Sequence, residues 1–135
     1  MIVVDTSVWI DFFAGRDDQP HVQQLLRMID DDAGIAITDI ILTEILQGLR
    51  DEQSVERIEQ RLEAIDVLRL DTLADFRSAA ALYRQARRQG ITIRKTLDCL
   101  IAVVCIREGC PILHNDRDFD QLASATALDV YTTGG

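Results

Sequence analysis

The chain has 135 residues, a formal net charge of −9 and 47% hydrophobic residues. This length fits one domain over residues 1–135, and the composition is that of a folded globular protein rather than a disordered one. The acidic balance argues against a protein that grips nucleic acid over a broad surface. No apolar run approaches the roughly 20 residues needed to span a bilayer, so we expect no membrane segment.

The N-terminal segment and the cysteines predict a cytoplasmic protein. Residues 1–13 read MIVVDTSVWIDFF. Because no basic region precedes the apolar run, we expect a core strand there rather than a signal peptide. Cys99, Cys105 and Cys110 are odd in number and lack a C-x-x-C spacing. Reduced, mostly buried thiols are therefore favoured over disulfides or a zinc site.

The apolar pattern predicts strands that alternate with helices. In chain order we predict a strand at residues 1–5, helices at 8–13 and 21–29, a strand at 35–37, helices at 40–49 and 54–65, a strand at 67–70, helices at 72–89 and 96–108, a strand at 111–114, a helix at 119–124 and a strand at 128–131. Gly90 and Gly109 follow two of the helices, at a position that favours a left-handed backbone. The alternation predicts an α/β fold with a mostly parallel sheet of four to five strands and helices on both faces.

Two acids follow predicted strands. Asp5 closes the first strand, and Asp116 follows the strand at residues 111–114 through Asn115. In open parallel sheets, ligands bind beyond the carboxyl ends of the strands, where both acids would lie. A helix N-cap explains Asp5 equally well. For Asp116 taken alone, a solvated loop with a helix cap is the better explanation, because Asp118 and Asp120 lie close by.

Two further acids lie on apolar helix faces. Glu44 shares a helix face with Ile40 and Ile41. On a later helix, Asp98 shares a face with the apolar residues Ile101, Ala102 and Cys105. An ionised carboxylate on such a face is costly unless a metal or a cation meets it. The alternatives are a glutamate that reaches past the edge of the apolar stripe to water and a first-turn aspartate that interacts with the helix dipole.

The four acids together predict one pocket for a hard divalent cation. Mg²⁺ or Mn²⁺ suits carboxylate and water ligands, whereas zinc favours histidine and cysteine. Such an ion lowers the pKa of a bound water and neutralises charge on a phosphate. Hydrolysis of a phosphodiester is therefore the chemistry that Asp5, Glu44, Asp98 and Asp116 suggest.

Four segments of the chain, in this order, resemble the PIN domain family and specifically the VapC-type toxins of bacterial toxin–antitoxin pairs. They are VVDTSVWID at residues 3–11, TEILQGL at 43–49, TLDCLIA at 96–102 and LHNDRDFDQLA at 113–123. The resemblance implies a PIN-like three-layer α/β fold and a metal-dependent endoribonuclease. The resemblance also implies that this enzyme binds Mg²⁺, with Mn²⁺ as a substitute. Four acids would hold the ion: Asp5, Glu44, Asp98 and Asp116.

The resemblance also implies auxiliary residues and partners. Asp118 looks like a fifth acid, so the inner acid is either Asp116 or Asp118, and the spacing from Asp98 favours Asp116. Thr6 and Ser7 match the small hydroxyl residues that follow the first aspartate and orient it or a water. The implied partners are an RNA substrate, a cognate VapB-type antitoxin that blocks the pocket, and a second copy of the chain in a homodimer.

A basic stretch suggests where RNA is contacted, and two other functions are alternatives to the ribonuclease. Arg94 and Lys95 end a segment, residues 76–97, that carries no acid, and we predict that they contact the RNA backbone. A catalytically silent binding module, whose acids receive a partner's arginines, is the main alternative. A phosphoacceptor signalling domain is disfavoured because Glu44 and Asp98 have no place in that scheme.

Overall fold

The computed structural model describes residues 1–132. The helices and strands, in chain order, are β1 (Ile2–Val4), α1 (Thr6–Phe13), α2 (Pro20–Asp30), β2 (Ile35–Thr38), α3 (Asp39–Gln47), α4 (Glu52–Leu62), β3 (Asp66–Leu68), α5 (Leu73–Arg88), α6 (Thr96–Glu108), β4 (Ile112–Leu113) and α7 (Arg117–Ala125). Within residues 1–132 no helix is both long enough and apolar enough to cross a bilayer. The expectation of a single domain over residues 1–135 extends past the described residues and stays a prediction.

The four strands form one parallel sheet in the order β3-β2-β1-β4. Successive side chains of a strand point to opposite faces of the sheet. Val3 and Val4 of β1 are both fully buried, so helices cover the sheet on both faces. This burial explains why β1 reads as an unbroken apolar run rather than an alternating one. The predicted α/β fold with a mostly parallel sheet is confirmed.

The predicted fifth strand at residues 128–131 is wrong as a full strand. Only an isolated parallel bridge forms, between Ile112 and Val130. The amide of Ile112 donates to the carbonyl of Asp129, and the amide of Tyr131 donates to the carbonyl of Ile112. Since β4 itself has only two residues, its edge offers too few backbone groups to pair a longer strand.

Most helix boundaries differ from the prediction by one to three residues, for local reasons. Helix α1 begins at Thr6 rather than residue 8 because the Asp5 side chain accepts a hydrogen bond from the Ser7 amide and so caps the helix. Helix α6 ends as predicted, because Gly109 takes a left-handed backbone with φ of 66°. Gly90 adopts φ of 81° two residues after α5, and a short loop then leads into α6.

Candidate metal centre

The structure brings the four predicted acids together around one cavity of about 580 Å³. Asp5 and Asp116 follow the adjacent strands β1 and β4, whose carboxyl ends open on this cavity. Glu44 reaches it from the middle of α3, and Asp98 from the first turn of α6. The parallel sheet therefore gathers acids that lie up to 111 residues apart in the chain.

Asp5 both lines the cavity and caps α1, so the two placements that the sequence left open occur together. It is 4% exposed and lines the cavity, and its Oδ2 also accepts hydrogen bonds from the Ser7 amide at 3.1 Å and the Ser7 hydroxyl at 2.6 Å. The Ser7 hydroxyl in turn accepts a hydrogen bond from the Asn115 amide at 2.9 Å. Burial raises the pKa of Asp5, and the Ser7 bonds oppose that rise. Ser7 thus fixes Asp5 relative to the end of β4.

Glu44 is oriented by the other hydroxyl residue of this turn. The Thr6 hydroxyl donates a hydrogen bond of 2.8 Å to Oε1 of Glu44. Thr6 is itself buried and Glu44 is half-buried, so the carboxylate does not reach past α3 into open water. Burial raises the pKa of Glu44, although the Thr6 bond opposes the shift and the charge on Asp5 adds to it.

Asp98 is the least satisfied acid of the cavity. It is 3% exposed, and no group within residues 1–132 donates a hydrogen bond to its buried Oδ2. Burial, followed by the negative charges of Asp116 and Asp5, raises the pKa of Asp98 to about 7. A buried carboxylate oxygen without a partner costs free energy and needs an explanation. A cation bound between these carboxylates would supply one.

Asp116 lies where a cation already approaches the cavity. Its side chain caps α7 by accepting from the Asp118 amide at 3.0 Å, and Nζ of Lys95 lies 3.4 Å from its Oδ2. Burial tends to raise the pKa of Asp116, but the Asp118 bond and the Lys95 charge hold it below its usual range. Lys95 itself lines the cavity.

Asp118 lies behind the cavity wall rather than on it. It is 1% exposed, and Nε of Arg94 lies 3.3 Å from each of its carboxylate oxygens. One oxygen each from Asp98, Asp116 and Asp118 nevertheless lie within 4.8 Å of one another. Asp98 and Asp116 belong to this trio and also line the cavity. The trio therefore adds the buried Asp118 to the group of acids around the cavity.

The side chains around the cavity fit a hard divalent cation. Among the described residues that line it, the available ligand atoms are carboxylate, hydroxyl and amide oxygens, and there is no histidine or cysteine. Oxygen ligands suit Mg²⁺ or Mn²⁺ rather than zinc. Three of the four acids have raised pKa values, chiefly because burial disfavours their ionised forms and secondly because neighbouring acids repel their charge.

Three residues of the cavity wall were missed by the sequence reasoning: Ile10, Gln47 and Gly48. Gln47 lies three residues after Glu44 on α3 and lines the cavity. Since residues three apart share a helix face, the position of Glu44 was a usable signal for it. Ile10 lines the cavity from α1 and is 55% exposed. No signal in the sequence separated Ile10 from the buried apolar residues around it.

Comparison with known proteins identifies the family. A family model described as "PIN domain" matches residues 2–125. This chain belongs to the PIN domain family. The PIN domain is 39% identical over 128 residues to VapC ribonuclease Mb1587 of Mycobacterium bovis, which covers 95% of this chain and 96% of that protein. It is 29% identical over 124 residues to ribonuclease VapC51 of Mycobacterium tuberculosis, covering 92% and 86%.

Solved structures agree on the fold of this PIN domain. The structure of FitAB bound to an IR36 DNA fragment matches with a TM-score of 0.77 at 20% identity, covering 97% of this chain and 94% of that one. VapBC2 from Rickettsia felis, bound to a DNA fragment from their promoter, matches with a TM-score of 0.74 at 18% identity, covering 97% and 98%. The predicted PIN-like fold is confirmed.

Proposed function

We propose that this PIN domain is a metal-dependent endoribonuclease, the toxin of a type II toxin–antitoxin system. The observation that carries the proposal is Asp98: its buried Oδ2 has no hydrogen-bond donor among the described residues, and the residue lines a cavity together with three other acids. The similarity to proteins named VapC ribonucleases supports RNA as the substrate. Mg²⁺ is the proposed ion, with Mn²⁺ as a substitute.

We assign the principal ion to Asp5 and Asp98, with Glu44 and Asp116 completing its shell. When bound, the ion supplies positive charge to the reacting phosphate and lowers the pKa of a coordinated water. It also explains how an anionic cavity accepts an anionic substrate. Asp118, held by Arg94, supports the shell from behind the cavity wall.

The chain's own residues hold these carboxylates in place before the substrate arrives. Ser7 fixes Asp5 through two hydrogen bonds, and Thr6 fixes Glu44 through one. Such preorganisation spares the site the cost of reorganising during the reaction. Lys95 places its ammonium group at the cavity, where it can contact a phosphate oxygen of the bound RNA.

The reaction proposed is hydrolysis by water. Water attacks the phosphorus, the bond to the 3′ oxygen breaks, and that oxygen takes a proton. The products carry a 5′-phosphate and a 3′-hydroxyl. The ribose 2′-hydroxyl takes no part, so no cyclic phosphate forms.

Partners and location belong to the same proposal. We infer a VapB-type antitoxin that blocks the cavity, since toxin–antitoxin complexes are among the structures that share this fold. We also infer a homodimer. The three cysteines are free and buried, which suits the cytoplasm, where an RNA substrate is met.

Analysis of product ends tests the proposed chemistry. Purified chain, freed of any co-purified antitoxin, is incubated with a mixed RNA pool in Mg²⁺, Mn²⁺ or EDTA, and the ends of the fragments are determined. We expect fragments with 5′-phosphate ends in both metals and none in EDTA. A 2′,3′-cyclic phosphate would contradict the mechanism, and the absence of cleavage by folded protein would favour the silent binding module.

A further inference from the structure

A second cavity of about 580 Å³ lies between α5 and α6, outside the metal centre. We call it the α5–α6 cleft and define it by six of its lining residues: Phe76, Tyr83, Arg84, Arg87, Arg94 and Leu100. The first four residues, from Phe76 to Arg87, lie on α5. Arg94 lies in the loop before α6, and Leu100 lies within α6. The cleft is as large as the metal cavity but has a different lining.

The cleft concentrates positive charge in an acidic protein. Its charged lining residues are all arginines, and no acid is among the described residues that line it. Arg84 and Arg87 are exposed and form no ion pair with any residue from 1 to 132. The whole chain carries −9, so a cavity lined by three arginines and, among the described residues, by no acid departs from the charge of the chain as a whole. Guanidinium groups suit phosphates because they donate two parallel hydrogen bonds.

Aromatic rings lie among these arginines. Tyr83 is half-buried in the cleft, and the guanidinium carbon of Arg87 lies 5.8 Å from the centre of its ring. Phe76 also lines the cleft and is 48% exposed. Aromatic faces and arginine planes are the groups on which single-stranded bases stack, whatever the base. The cleft therefore offers both halves of a nucleotide site: a stacking surface and phosphate donors.

The cleft adjoins the metal centre through consecutive residues. Arg94 lines the cleft, and its Nη2 lies 3.7 Å from Oδ1 of Asp116, which lines the metal cavity. The next residue, Lys95, lines the metal cavity itself. Arg94 and Lys95 are therefore adjacent residues, of which the first lines the cleft and the second lines the metal cavity.

We propose that the α5–α6 cleft binds a nucleotide of the single-stranded RNA substrate that flanks the cleaved phosphate. The base stacks on Tyr83, and the phosphates contact Arg84 and Arg87. This proposal rests on the proposed ribonuclease function, which it deepens by giving the substrate a second binding subsite. Binding by stacking and phosphate contacts predicts an affinity that depends on salt and little on base sequence.

Salt-dependent binding tests the arginines. All variants carry Asp98→Asn so that RNA is not consumed, and binding of a fluorescent single-stranded RNA of roughly 12 nucleotides is measured by anisotropy. Adding Arg84→Ala and Arg87→Ala should weaken binding and lower the slope of log affinity against log salt by about 1.4. The matched control adds Arg27→Ala and Arg57→Ala, which remove two exposed arginines from α2 and α4 and should leave the slope unchanged.

Tyr83 variants test the stacking surface separately. We expect Tyr83→Ala to weaken binding by roughly 5- to 150-fold, while Tyr83→Phe keeps the ring and binds as before. Circular dichroism checks that each variant is folded. Equal binding by folded Tyr83→Ala, together with an unchanged salt slope for the arginine pair, would overturn the cleft as an RNA site.

Cleavage and sedimentation controls distinguish failure of the cleft proposal from failure of the proposed ribonuclease function. If the chain without these changes cleaves RNA in Mg²⁺ but the cleft variants bind like the controls, the cleft proposal fails and the ribonuclease stands. If that chain neither cleaves nor binds RNA, both fail. Sedimentation is run at the assay concentration, and a change of oligomeric state in Arg84→Ala with Arg87→Ala would make the cleft an interface between copies and overturn the proposal.

Discussion

Asp98 is the residue at which function conflicts most directly with stability. Its burial and the neighbouring carboxylates raise its pKa from the ordinary value of 3.8 to about 7. The folded state therefore binds this proton more tightly than the unfolded state does. Protonated Asp98 favours folding below about pH 3.8, and this contribution is lost as the pH rises towards 7. Without metal, ionised Asp98 destabilises the folded chain.

The pH dependence of unfolding checks this conflict. We compare urea unfolding of the wild type and Asp98→Asn in EDTA, at about pH 5 and about pH 8. Because asparagine carries no charge to bury, we expect Asp98→Asn to gain stability relative to the wild type as the pH rises. A stability difference that is the same at both pH values would show that Asp98 is not held in its protonated form by the fold.

Thr6 acts through Glu44 and makes a second prediction about a single residue. Thr6→Val keeps the shape of the side chain but removes the donor to Oε1 of Glu44. Loss of a group that orients a metal ligand costs roughly 10- to 100-fold in metal affinity or activity. Thr6→Ser should retain the wild-type Mg²⁺ dependence, measured as the Mg²⁺ concentration that gives half of the maximal cleavage rate. The same half-maximal Mg²⁺ concentration for Thr6→Val and Thr6→Ser would contradict the role of Thr6 in orienting Glu44.

At the scale of elements, the loop between α5 and α6 is tied to α7. Arg94 in the loop contacts both oxygens of Asp118, in the first turn of α7. Asp118 is buried whereas Arg94 is 59% exposed in its side chain. Lys95 makes a longer contact with Asp116 and is 58% exposed. Both cations were predicted as RNA contacts from the sequence, and both lie near Asp116. They differ because Arg94 alone also contacts the buried Asp118.

This difference predicts separate effects on stability. Arg94→Ala leaves buried Asp118 without its countercharge and should cost about 1–3 kcal/mol in the free energy of unfolding. Lys95→Ala removes an exposed contact and should cost less than about 1 kcal/mol. Urea unfolding at neutral pH measures both. Equal losses would mean that the Arg94–Asp118 pair does not hold the loop.

Across the whole molecule, the sequence predicted the element types, and that four acids share one cavity, better than it predicted detailed contacts. Glu44 and Asp98 were predicted to share the cavity because a carboxylate on an apolar helix face is anomalous. Asp5 and Asp116 were predicted to share it because they follow strands. The two hydroxyl residues, Thr6 and Ser7, were assigned only by resemblance. The sequence does not say which carboxylate each hydroxyl orients, because that depends on how α1 packs against α3 and β4.

The extent of the last strand and the tie between Arg94 and Asp118 were beyond prediction for a related reason. Pairing of residues 128–131 is limited by the length of β4, which apolar periodicity overestimated as residues 111–114. The partner of Arg94 lies 24 residues away, and charge patterning along the chain does not reveal such a contact. Local pattern gave the element types, and tertiary packing decided their ends and their ion pairs.

The cleavage rate across a Mg²⁺ titration tests the central claim most directly. Wild type, Asp98→Asn and the exposed control Asp129→Asn are stripped with EDTA, and RNA cleavage is then measured at rising Mg²⁺. We expect wild type and control to rise from no cleavage to the same plateau, and folded Asp98→Asn to stay more than roughly 100-fold lower. Cleavage by the wild type in EDTA, or a wild-type rate for Asp98→Asn, would contradict the proposal that this acidic cavity is a metal-dependent ribonuclease centre.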